Sequence, residues 1–104
     1  MATEVIWTEP ALVQLNEVYR YHKKEYSESV AVKLFNAIVD ATDNLSSFPE
    51  MAPCEQLLRH RAEGFRSLVQ GYYKIIYYRE KDIIYIAMLW DRRQNPIHLI
   101  DKFK

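Results

Sequence analysis

Three β-prone runs stand almost end to end in the last part of the chain: Phe65 to Gln70, Tyr72 to Arg79 and Ile83 to Trp90. Only Gly71 separates the first two, and only the tripeptide Glu80-Lys81-Asp82 the second pair. Joints this short suit hairpin turns, so the runs are expected to pair in a mostly antiparallel sheet. In the last run both parities are apolar, with Ile83, Tyr85, Ala87 and Leu89 set against Ile84, Ile86, Met88 and Trp90. This pattern predicts a central strand covered on both faces, and it leaves alternation unable to say which face is functional.

Upstream, Val5-Ile6-Trp7 is a short β-prone stretch that runs into Thr8-Glu9-Pro10. Thr8 suits a helix N-cap, and Pro10 suits a first turn, whose N–H groups lack partners in any case. From Ala11 to about Glu25 the positions Leu12, Leu15, Val18, Tyr19, His22 and Tyr26 recur three or four apart, the spacing of an amphipathic helix. Ser27-Glu28-Ser29 breaks that helix and caps another, along which Val30, Leu34, Ile38, Ala41, Leu45 and Phe48 keep the same spacing until Pro49. So short a joint implies an antiparallel helical hairpin. Met51 to Glu63 reads as a loop carrying Arg59, His60 and Arg61. The tail Ile97-His98-Leu99-Ile100 has two open roles, covering the second sheet face or docking on another chain.

The order β-α-α-β-β-β predicts an α+β fold: an N-terminal short strand, then a two-helix antiparallel hairpin packed on a mostly antiparallel sheet. At 104 residues the expectation is one domain spanning 1–104.

Several function classes fall away. Gly64 and Gly71 are the only glycines, which excludes Gly-rich phosphate loops and the nucleotide cofactors they hold. Cys54 stands alone, so neither an intrachain disulfide nor a thiolate metal cluster is available. The three histidines, His22, His60 and His98, show no metal-ligand spacing and no nucleophile motif. No cofactor and no metal are expected. With no leader-like start and no apolar run of membrane-spanning length, the expected location is cytoplasmic, without a membrane partner.

The formal charge is zero, yet it is unevenly spread. Residues 1–58 hold four cations and nine anions, a net of −5, whereas residues 59–104 hold ten cations and five anions, a net of +5. The basic half fits an anionic partner, either nucleic acid or an acidic protein segment, or else the two halves attract each other within the monomer. His22 lies on an apolar stripe and reads as a hydrogen-bonded boundary histidine. Asp91, between Trp90 and Arg92, reads as the ion-pair partner of Arg92 or Arg93. Cleavage of RNA by its own 2′-hydroxyl needs a proton acceptor, a proton donor and cations for the charge building on phosphate. Arg66, Lys74, Arg92 and Arg93 are the candidate cations, and no general base stands out. Tyr72, Tyr73, Tyr77, Tyr78 and Tyr85 are able to stack on unpaired bases, although most of the eight tyrosines are expected in the core and its rim.

Three segments carry a resemblance: Phe48-Pro49-Glu50-Met51, then Arg66-x-Leu68-Val69-x-Gly71-x-Tyr73-Lys74-Ile75-Ile76-Tyr77, then Asp91-Arg92-Arg93-Gln94-Asn95-Pro96. In this order they resemble the RelE/ParE toxin superfamily of type II toxin–antitoxin, or plasmid stabilisation, systems. The resemblance implies a bacterial toxin neutralised by a cognate antitoxin whose flexible segment wraps it. RelE-like members are ribosome-dependent mRNA endoribonucleases; ParE-like members inhibit DNA gyrase. Arg92 and Lys74 match basic positions of the nucleases, while Val69 or Gln70 stands where those nucleases carry another arginine, as in ParE-like sequences. The expected function is therefore gyrase inhibition. Message cleavage is the alternative, and an inactive member that keeps antitoxin binding is a further one. The expected target-binding residues are Arg59, Arg61, Arg66, Lys74, Asp91, Arg92 and Arg93.

Overall fold

In the computed structural model, which describes residues 3–103, strand gives way to helix at Thr8. The first strand, β1 (Glu4–Trp7), ends there, and the Thr8 hydroxyl accepts from the Ala11 N–H at 3.4 Å as the N-cap of α1 (Glu9–Glu25). The same hydroxyl donates to the Ile86 carbonyl at 2.8 Å, tying the helix start to the sheet. Ser27 caps α2 (Glu28–Asp43) by accepting from the Val30 N–H at 3.1 Å. The two helices pack side by side, with Tyr19 edge-on to Phe35.

A linker with 3-10 turns at Asn44–Ser46 and Gln56–Leu58 leads to β2 (Arg66–Gln70), β3 (Tyr73–Glu80) and β4 (Ile83–Asp91). The strand order across the sheet is β1-β4-β3-β2, with β1 parallel to β4 and the other neighbours antiparallel. The predicted α+β class and β-α-α-β-β-β order are those observed, and β4 is central as expected. No helix among the described residues is long and apolar enough to cross a membrane.

Alternation fails in β4 for a physical reason. The register shifts between Ile76 and Tyr77 of β3, which face Met88 and Ile86, so Ala87 is an extra residue in β4, a β-bulge. Before the bulge, Ile84 and Ile86 face the helices; after it, Leu89 does. Met88 and Trp90 then point to the opposite face. Two cores result. One joins Leu15, Ile38 and Leu45 of the helical side to Ile75 and Tyr77, and the other lies beneath the sheet.

The tail resolves as a helix that periodicity did not announce, α3 (Pro96–Lys102), capped by Asn95. Leu99 is fully buried among Leu58, Ile76, Met88 and Trp90, so the tail covers the second face of the sheet. The helical stripes are also narrower than their spacing suggested. Leu12, Tyr26, Val30 and Phe48 are exposed, whereas Ala11, Ala31 and Thr42 are buried, small residues that a count of large apolar side chains passes over.

Candidate functional site

The β2–β3 hairpin turns at Gly71, whose φ of +61° lies in the left-handed region where a side chain is strained. This turn meets the end of β4. The Arg92 N–H donates to the Tyr72 carbonyl at 2.7 Å, and its guanidinium donates to the Gly71 carbonyl at 3.1 Å. Arg93 forms a bidentate pair with Asp91, Nε to Oδ1 at 3.0 Å and Nη2 to Oδ2 at 2.8 Å. Its guanidinium lies 4.5 Å from the centre of the exposed Tyr72 ring, a cation–π contact. Hydrogen bonds from Arg93 outweigh partial burial and hold the Asp91 carboxyl below the usual aspartate range. The same pair raises Arg93 above its ordinary value.

Beside this end a groove of about 470 Å³ runs between α1 and β4, lined by Gln14, Glu17, Tyr21, Tyr73, Asp91 and Arg93 among others. Burial first, and the nearby Asp91 charge second, push the Tyr73 hydroxyl up, so it stays protonated. As expected, His22 is a boundary residue: Nδ1 lies 2.8 Å from the Val18 carbonyl, and the ring meets Tyr21, Tyr26 and Tyr73.

The remaining candidates lie elsewhere and are occupied. Lys74 points to the face opposite the helices and pairs with Glu55 at 2.9 Å. Burial of Glu55 favours its neutral form, but hydrogen bonds from Lys74, Ser67 and the Leu57 N–H win, and its carboxyl sits below the ordinary glutamate value. Arg66 donates to the Ala52 carbonyl at 2.6 Å. Arg61 pairs with Glu63, donates to the Phe103 carbonyl and lies over the Phe103 ring. Arg59 is exposed, without a side-chain hydrogen bond or ion pair among the described residues.

Thus the structure brings together Asp91, Arg92 and Arg93, and leaves Arg59, Arg61, Arg66 and Lys74 outside that group. Sequence reasoning missed Glu55, a carboxylate in a loop with no periodic signal. It also missed Gln14, whose Oε1 accepts from the Leu89 N–H at 2.9 Å where β1 has already ended. Among the described residues no His, Cys, Asp and Glu side chains gather into a group able to hold a metal ion.

The fold is shared with a chain described as "Chromosomal ParDE TA system from P. aeruginosa", with a TM-score of 0.73 over 89% of this chain and 98% of that one, at 17% identity. No curated protein matches the sequence. The family described as "ParE toxin of type II toxin-antitoxin system, parDE" matches residues 5–96. The chain belongs to the ParE toxin family. A ParE toxin is one half of a type II toxin–antitoxin pair, so its partner is a cognate antitoxin. The matched residues of this ParE toxin run from β1 to the first residue of α3 and take in the Asp91-Arg92-Arg93 end.

Proposed function

We propose that this ParE toxin acts by binding, inhibiting DNA gyrase through the Asp91-Arg92-Arg93 end of β4, and that the antitoxin silences it. The carrying observation is the state of the cations. Lys74 is held by Glu55, Arg66 by a backbone carbonyl and Arg93 by Asp91. A nuclease working through the 2′-hydroxyl needs cations free to face one phosphate, together with a proton acceptor beside it. The tyrosine beside the groove, Tyr73, is held in its protonated form by burial and the nearby Asp91 charge, so it is no proton acceptor. What remains is a rigid, mixed-charge rim: Arg92 on the hairpin turn, Arg93 clamped by Asp91 and stacked on Tyr72. Such a rim suits a protein surface carrying both charges better than a bare phosphate chain.

The test sets purified protein against gyrase, scoring supercoiling and trapped cleavage complexes, beside a translation reaction probed for cut messages. Gyrase inhibition with intact messages is expected. Cut messages with gyrase untouched would reverse the reading, and unimpaired growth on induction without antitoxin would mark an inactive member.

A further inference from the structure

β1 leaves its neighbour β4 early. The Thr8 N–H donates to the Ile86 carbonyl at 3.1 Å, and the chain then turns into α1. From Ala87 to Asp91, β4 therefore has a strand partner on the β3 side alone. Backbone groups of a strand point to alternate sides. The Arg92 N–H turns to the Tyr72 carbonyl, so Asp91 and Leu89 turn outward, and the Leu89 N–H meets Gln14 of α1. The Asp91 carbonyl accepts from the Gln94 N–H at 3.1 Å. Among the described residues, the Leu89 carbonyl and the Asp91 N–H have no hydrogen-bond partner. Such an unpaired edge is a template for another extended chain.

Leu89 and Asp91 both line the groove of about 470 Å³ beside α1, and so does Tyr73. Tyr73 is only 8% exposed, yet its hydroxyl makes no hydrogen bond with a described residue and is not sealed from the groove. A buried ring thus presents an unused donor to an open cavity. The groove runs on to Arg93 and Gln94, which makes it continuous with the rim assigned above to the target.

The two free backbone groups have the spacing of a parallel ladder. Where β1 lies along β4, Glu4 stands opposite Ile83 and donates its N–H to the Asp82 carbonyl at 3.0 Å, one residue back. A residue set in the same way opposite Trp90 donates to the Leu89 carbonyl and accepts from the Asp91 N–H. Its side chain follows Trp90 to the α3 face, and the next one turns to the helical face, where Tyr73 stands. We propose that an extended segment of the gyrase target lies in this groove parallel to β4, on the line that β1 vacates. One residue of it bonds to Leu89 and Asp91, and an oxygen-bearing side chain of the next accepts from the Tyr73 hydroxyl. The proposal rests on the gyrase reading and deepens it, because it gives the target a main-chain seat beside the arginine rim.

The experiment sets the whole toxin against gyrase holoenzyme, reading supercoiling inhibition and residue-resolved amide hydrogen exchange. Tyr73→Phe removes only the hydroxyl, and Glu17→Trp, at an exposed α1 position on the groove, fills it. Arg20→Trp, exposed on the same helix outside the groove lining, is the control. The half-inhibiting concentration is expected to rise about threefold to tenfold for Tyr73→Phe and about tenfold or more for Glu17→Trp, and to stay within about twofold for Arg20→Trp. The Asp91 amide is expected to exchange freely in the toxin alone and about 100-fold or more slowly with gyrase bound. Full inhibition by Glu17→Trp with an unprotected Asp91 amide would overturn the strand placement and leave the gyrase reading standing. Failure of wild type to inhibit gyrase would overturn both. Protection of the Asp91 amide by the antitoxin but not by gyrase would give the groove to the antitoxin instead, and so overturn the proposal. Circular dichroism melts of each variant separate lost inhibition from lost fold.

Discussion

Lys74 on β3 and Glu55 in the loop before β2 form a 2.9 Å ion pair in which the carboxylate side chain is 4% exposed and the ammonium-bearing one 25%. The carboxylate also accepts from the Leu57 N–H at 3.2 Å, so one side chain fixes the loop, the 3-10 turn and the strand together.

Glu55→Ala is expected to cost about 1 to 3 kcal/mol in urea denaturation, because it leaves Lys74 half-buried without its partner. The lowered Glu55 pKa also sets an acid limb. Its stabilisation is complete above the ordinary glutamate value and is lost as pH falls through the lowered one. Thermal midpoints followed downward from neutral pH should therefore drop less steeply in Glu55→Gln than in wild type.

Arg92→Ala and Arg93→Ala are expected to move the thermal midpoint by no more than about 2 °C, since both side chains are largely in solvent. Growth arrest on induced expression should nevertheless weaken in both. A large loss of thermal stability with arrest retained would make these arginines structural.

Ile38→Ala, at a fully buried position, is expected to cost about 2 to 5 kcal/mol. Leu34→Ala lies on the same stripe but is only partly buried, and should cost about 1 to 2 kcal/mol. Chemical denaturation of the two variants side by side reads the difference.

Gln14→Ala removes the acceptor that the Leu89 N–H uses beyond the end of β1. A cost of about 1 to 2 kcal/mol is expected, with faster hydrogen exchange at the Leu89 amide and little change at Ile75. Unchanged exchange at Leu89 would show that water already serves this amide.

Much of the fold was legible because its signals are local. Thr8 and Ser27 cap the helices they were expected to cap, and the chain turns at Gly71 and between Glu80 and Ile83. The tail was legible only as apolar, since seven residues hold too few turns to display a helical period. Asp91 was read as an ion-pair partner because it adjoins the arginines it could serve, and it pairs with Arg93. The partners of Arg66, Lys74 and Arg61 were not legible. Ala52 and Glu55 meet their cations through tertiary packing, and the Phe103 carbonyl reaches Arg61 only because α3 folds under the sheet. A basic residue near a strand end therefore says little about its freedom until the neighbouring loops are placed.

The extra residue at Ala87 lets a single uninterrupted apolar run furnish both layers of the molecule. Drawn into a regular ladder with no bulge, Ala87 would swing Trp90 toward α1 and Leu89 toward α3, exchanging the fillings of both layers at once. A slip of register is thus forbidden there, where one alanine left out of the pairing keeps the upper and lower halves in step.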